Sequence, residues 1–156
     1  MKDKRKKAQI AIEIVAYYSL LLFFALLFVT LLLSYNEAET KKSYYNAIRA
    51  IKNNFVSAIV FAYEFEEGFN YSYKLPSRVL GNDYEIILKN DNENTTIFFT
   101  LPYKNENITE MATINFLVKC KNVCHQITSE AVKITRKAFN ISVVNENGLK
   151  KVVELD

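Results

Sequence analysis

Few residues in this 156-residue chain are of a type that could carry chemistry, and they are widely separated. His125 is the single histidine, Cys120 and Cys124 are the two cysteines, and Glu13 is a carboxylate at the start of a long apolar run. No nucleophile partner for His125 is legible in the sequence, and a chain with three Gly offers no phosphate-cradling loop. The acids fall mostly in polar turns such as Asp91-Asn92-Glu93-Asn94, where carboxylates are solvated rather than poised for proton transfer. No catalytic residue, metal or cofactor is therefore expected, and the chain reads as a non-enzyme.

Cys120 and Cys124 flank a three-residue tip, Lys121-Asn122-Val123. Three candidate metal ligands within six residues, counting His125, match no common zinc spacing. The spacing predicts a disulfide across a hairpin outside the cell, with two buried free thiols as the alternative. Closing so short a loop gains about 2 kcal/mol in the chain-entropy picture. Four triplets can accept an N-linked glycan: Asn70-Tyr71-Ser72, Asn94-Thr95-Thr96, Asn107-Ile108-Thr109 and Asn140-Ile141-Ser142. Chance places about two in a chain with 16 Asn and 17 Ser or Thr, so the excess is mild. Asn140 alternates with Phe139, Ile141 and Val143, which turns it outward as a glycan requires.

The element that must position Glu13 is the apolar run itself. Residues 14–33 read IVAYYSLLLFFALLFVTLLL, twenty positions without a charge. At about 1.5 Å rise per residue this spans roughly 30 Å, the hydrocarbon thickness of a bilayer. A domain this small has no interior that could hide it, so membrane insertion is expected. Lys2, Lys4, Arg5, Lys6 and Lys7 precede the run, which keeps the amino terminus cytoplasmic and directs the remainder outward. A secretory signal peptide has a shorter apolar region, about 7–15 residues, and ends at a small-x-small site. The LLLSYNEAET stretch offers no such pair, so cleavage behind the run is not expected.

No Pro or Gly occurs before Gly68, and the spacing predicts one helix from about Gln9 to Glu67. Residues 9–34 are its apolar half. Over 35–67 it turns amphipathic, with Tyr44, Ile48, Ile51, Phe55, Ala58 and Ala62 drawing one stripe at alternating spacings of four and three. Gly68 supplies the left-handed stop. From there the pattern changes to period two: Tyr84, Ile86 and Leu88; Ile97, Phe99 and Leu101; Ala112, Ile114, Phe116 and Val118; Phe139, Ile141 and Val143. Turn residues at Asn90–Glu93 and Asn147-Gly148 separate strands, the latter ahead of Lys150–Leu155. The fold class is α+β: a long N-terminal helix followed by a small, mainly antiparallel β domain over 68–156. Five to seven strands in one sheet are expected, packed on the Tyr44–Ala62 face.

Charge excludes a nucleic-acid binder. The formal net charge is +3, but residues 1–8 hold five Lys/Arg and one Asp, a local +4, which leaves −1 for the remaining 148 residues. Nor do basic residues interleave with aromatics in the β half.

Read alone, Glu13 sits at headgroup level beside the lysines, where a charge is less costly than at the bilayer centre. Its neighbours, Lys6-Lys7-Ala8-Gln9-Ile10-Ala11-Ile12-Glu13, change that reading. The string resembles the class III signal peptide of archaeal type IV pilin-like proteins. Lys6 and Lys7 match the basic leader, Ala8 its last residue, Gln9 the first mature residue, Ala11 the small position and Glu13 the acidic fifth position. Archaeal flagellins, with their usual Gly- and Thr-containing start, fit less well. The resemblance implies that a prepilin peptidase removes residues 1–8 by cutting between Ala8 and Gln9. It also implies that Glu13 neutralises the new amine of a neighbouring subunit, and that apolar helices from many copies form a filament core.

The expectation is therefore a pilin-like structural subunit, first single-pass in the cell membrane with an extracellular β domain, then part of an adhesive type IV pilus-like surface filament. The partners so implied are the prepilin peptidase, other pilin subunits, the membrane and the pilus assembly machinery. The alternative is a non-polymerising single-pass protein that presents a small extracellular binding domain.

Overall fold

The computed structural model describes residues 2–91, 93–146 and 150–156, of which 2–8, 11, 146 and 150 are described by their backbone alone. Helix α1 runs Lys2–Glu64, and the strands that follow are β1 Asn70–Lys74, β2 Glu85–Asp91, β3 Asn94–Tyr103, β4 Glu106–Ile114, β5 Val118–Cys120, β6 Cys124–Gln126, β7 Ala131–Ile134, β8 Ala138–Glu146 and β9 Lys150–Leu155. The chain divides into two compact units, Met1–Lys41 and Lys42–Asp156. The first is helix alone. The second holds the rest of α1 and all nine strands found among the described residues.

Helix α1 starts seven residues before the expected Gln9, because the basic stretch is rich in good helix formers and contains no breaker. It ends three residues early, at Glu64. Gly68 is not its immediate cap: the Phe69 N–H donates to the Glu66 carbonyl at 3.3 Å, with Gly68 at φ +88° in the third position of that turn. A type II turn requires a positive φ there, which glycine adopts without strain. The turn hands the chain to the sheet, where the Gly68 N–H donates to the Val143 carbonyl at 3.2 Å.

The strands form two sheets rather than one. A four-stranded sheet has the order β1-β8-β9-β5, and a five-stranded sheet the order β4-β3-β2-β7-β6. All pairs are antiparallel except β5 with β9. The core lies where α1 meets both. Ile48, Phe55, Ile59 and Ala62 are fully buried, and Tyr44, Ile51 and Ala58 pack against them, so the stripe seen in the sequence is the buried face. Phe55 touches rings from both sheets, Tyr73 and Phe139 in one and Phe99 in the other.

The alternation at Ala112, Ile114, Phe116 and Val118 does not belong to one strand. Strand β4 ends at Ile114, and the chain crosses to the other sheet before Val118 opens β5. Thr95, a fully buried threonine, holds the crossing. Its Oγ1 accepts the Val118 N–H at 2.9 Å, and its one proton is shared between Asn90 Oδ1 at 2.7 Å and the Phe116 carbonyl at 3.0 Å. Asn90 Nδ2 donates in turn to the Val118 carbonyl at 3.0 Å. Hydrogen bonds from neighbouring strands thus satisfy backbone groups that a continuous strand would have paired in a ladder.

The β2–β3 hairpin closes where the polar turn was expected, with Asp91 opposite Asn94. The Asn147-Gly148 turn lies outside the described residues, between the paired positions Glu146 and Lys150. Between β1 and β2, Val79 and Asn82 exchange both backbone hydrogen bonds around Leu80 (φ +49°) and Gly81 (φ +82°), the pattern of a type I′ turn.

Candidate functional site

Glu13 lies one helical turn from Gln9 on the same side of α1, the spacing at which two helix side chains meet. Gln9 Nε2 donates to Glu13 Oε1 at 3.2 Å, and both residues are exposed. Lys6, Lys7, Ala8 and Ala11, the other positions of the leader motif, lie on helical backbone, but their side chains are outside the described residues.

From Ile12 to Thr40 every side chain is exposed. Phe23 and Phe24 are each 59% accessible, as bare as residues on a polar surface helix. Burying a side chain such as Leu or Phe stabilises by about 1.5–3 kcal/mol, so leaving this many in water is strongly unfavourable. Among the described residues this is the one helix long and apolar enough to cross a membrane.

In the β-bearing unit, α1 is fastened to the five-stranded sheet by charge as well as packing. Glu110 on β4 accepts from Lys52 Nζ at 2.6 Å and from Arg49 Nη2 at 3.0 Å and Nε at 3.3 Å. The Lys52 hydrogen bond, helped by Arg49 and opposed by burial, holds the Glu110 carboxyl below its ordinary value of 4.5. A depressed folded-state pKa means that the unfolded chain binds the proton more readily. The stabilisation is therefore complete above about pH 4.5 and is lost as pH falls through the folded-state value. Glu110→Gln is expected to lower stability by about 1.5 kcal/mol at pH 7, the scale of a hydrogen bond to a charged group. The gap between the urea midpoints of variant and parent should shrink as pH falls below about 4.5 and on through the folded-state value. A gap that does not change with pH would show that the charge is not responsible.

Cys120 ends β5 and Cys124 opens β6, and their sulfurs form a disulfide with Cα atoms 5.9 Å apart. It does not close a hairpin, because β5 pairs with β9 and β6 with β7. The bond joins the two sheets instead. Val123 between the cysteines is buried, and its carbonyl accepts from the Thr135 N–H and Oγ1, each at 2.8 Å. His125 is exposed on β6, opposite Lys133.

All four glycan-acceptor asparagines are exposed. Asn70 stands opposite Ser142 and Ser72 opposite Asn140, so two of the triplets face each other across β1 and β8. Asn94 opens β3, and Asn107 lies near the start of β4, opposite Pro102.

One feature of the β-bearing unit was not legible in the sequence. Asp83, Glu85, Thr100, Asn107, Lys133 and Lys137 line a cleft of about 430 Å³. Lys133 Nζ pairs with Glu85 Oε1 at 2.5 Å. Lys137 Nζ donates to the Tyr84 carbonyl at 3.0 Å and sits 3.7 Å from the centre of the Tyr84 ring. Burial is the main cause of shifts in both groups, pulling the Lys137 pKa down and pushing the Tyr84 pKa up. These residues come from four separate stretches of chain and form no local motif. Only the four-residue spacing of Lys133 and Lys137 stands out, and it reads equally as a solvated face. Compared with known proteins, the chain matches no family model, no curated protein and no solved structure.

Proposed function

We propose that this chain is a pilin-like structural subunit, cut between Ala8 and Gln9 by a prepilin peptidase and assembled through α1 into a type IV pilus-like filament. The observation that carries the reading is a fully exposed apolar helix, 14–33, begun by a single carboxylate, Glu13. Lipid can cover that surface while the subunit waits in the membrane, and helices of other copies can cover it in a filament. Cleavage removes the +4 cluster that anchors the chain at the cytoplasmic leaflet and creates an amine on Gln9. A buried carboxylate is tolerable when a cation pairs with it, and the Gln9 amine of a neighbour is such a cation.

In this reading the β domain faces the outside of the cell, displayed along the filament for adhesion and open to glycosylation. The assembly machinery and other pilins are its partners. A monomeric membrane anchor makes use of the same apolar helix but gains nothing from losing residues 1–8. Processing therefore separates the two readings.

The mature chain is expected to begin at Gln9 when protein from native membranes is examined by intact mass and amino-terminal analysis. Ala8→Leu should block the cut and hold the full-length chain in the membrane fraction. A mature chain that keeps its leader, or one cut after Ser34, would overturn the assignment, as would normal processing of the Ala8→Leu variant.

A further inference from the structure

The cleft on the five-stranded sheet and the acceptor asparagine at position 107 share a wall. Formal charge among the lining side chains cancels, two lysines (Lys133 and Lys137) against two acids (Asp83 and Glu85), and Asp83 is further compensated by Arg78 at 3.2 Å. It is therefore no trap for a phosphate or a metal cation. An ammonium has three donors, and the Tyr84 carbonyl takes one from Lys137. Glu85 uses one oxygen toward Lys133 and keeps the other. The lining thus offers both donors and acceptors, as groups that both donate and accept require. Pro102, exposed on β3, adds apolar surface suited to the C–H face of a ring. A neutral, hydroxyl-rich ring matches this lining, and the volume lies in the range of small-molecule pockets.

The lining also says which of the four acceptor sites could supply the ring, because Asn107 is the acceptor among the cleft residues. Asn107 lies on β4, an edge strand of the five-stranded sheet among the described residues, two residues beyond the Lys104-Asn105 turn. Asn140, by contrast, is on β8, enclosed between β1 and β9. A sugar attached to Asn107 starts inside the cleft wall. Tethering supplies an effective concentration on the order of millimolar, enough to fill a weak site.

We propose that the cleft is the seat of the innermost sugars of an N-linked glycan on Asn107, folded onto the β domain rather than extended into solvent. The inference rests on the proposal that the β domain lies outside the cell. Attachment needs a lipid-linked glycosyl phosphate as donor. The anomeric carbon–oxygen bond to phosphate breaks, the phosphate leaving with the electron pair. The same carbon bonds to Asn107 Nδ2, which gives up one proton.

The test is glycopeptide mapping of full-length protein from native membranes, followed by thermal melting in detergent of glycosylated protein and Asn107→Gln. Asn107 is expected to carry a glycan, and its loss should lower Tm by about 3 °C, on the scale that one favourable contact produces. In Lys137→Met, or in the exposed Asp83→Asn should the first not fold, the same comparison should show no difference. A bare Asn107 beside a modified Asn70, Asn94 or Asn140 overturns the inference and leaves the extracellular reading intact. So does a chain cut at Gln9 with no glycan at any of the four positions. A glycan on Asn107 whose contribution survives in both cleft variants overturns the seat. A glycosylated chain that keeps its leader refutes the filament reading alone.

Discussion

Glu13→Ala is expected to abolish filaments while leaving membrane insertion, cleavage after Ala8 and folding of the β domain intact. The residue is exposed, and among the described residues its one hydrogen bond is to Gln9 on its own helix and it lies outside the buried core. Removing the carboxylate makes the helix easier to bury, so insertion does not suffer. Polymerisation bears the loss, because in the proposed assembly the Gln9 amine of each neighbour would be buried without a counter-charge. Breaking a buried pair by removing one partner costs about 3–5 kcal/mol, and here the cost recurs at every subunit. Glu13→Gln keeps the size and removes the charge, so it should fail in the same way. Electron microscopy of sheared surface material, with immunoblots of filament and membrane fractions, reads the outcome. Parental filament yield from a correctly cleaved Glu13→Ala chain would refute the pairing. Absence of filaments in the parent as well would favour the monomeric anchor.

The second large effect concerns stability. Phe55→Ala should destabilise the β-bearing unit by about 3–5 kcal/mol, the range for removing a buried aromatic ring. Phe55 is fully buried, and its ring centre lies 5.7 Å from that of Phe99, 5.9 Å from Tyr73 and 6.1 Å from Phe139. Those partners belong to different sheets, so collapse from one side cannot fill the cavity without withdrawing from the other. Domains of this size are stable by about 5–15 kcal/mol in total, which makes the loss a large fraction of the whole. Asn46→Ala, exposed on the same helix, is the control and should stay within about 0.5 kcal/mol. Denaturant unfolding of the two variants in detergent measures the difference. A Phe55→Ala loss under 1 kcal/mol would show that the helix does not couple the sheets.

Which residues form the core was largely legible in advance. The stripe from Tyr44 to Ala62 is the packed face of α1, and the alternating sets beginning at Tyr84, Ile97 and Phe139 are buried. Among the strands that escaped notice, β1 has five residues, mostly exposed and without an apolar alternation, β5 and β6 have three each and β7 has four. Three residues hold barely one alternation, too little for a period to stand out from chance. The cleft escaped for a related reason. Its walls come from strands that are neighbours only because β7 pairs with β2, and no spacing within one segment encodes that.

The helix and its two characters are properties of local sequence. An unbroken run without Gly or Pro, uncharged over 14–33 and striped beyond, carries its period within every few residues, and helical hydrogen bonds join residues four apart. Ladder partners, in contrast, are chosen across the whole chain. Tertiary structure alone decided that Val118 leaves one sheet for the other, that the Cys120–Cys124 bond ties two sheets instead of closing a hairpin, and that Asn70 and Asn140 share a strand pair. Alternation tells which face of a strand is buried, but not which strand lies beside it. That choice was settled by contacts such as the Thr95 hydroxyl on the Val118 amide, twenty-three residues away in the chain and 2.9 Å away in space.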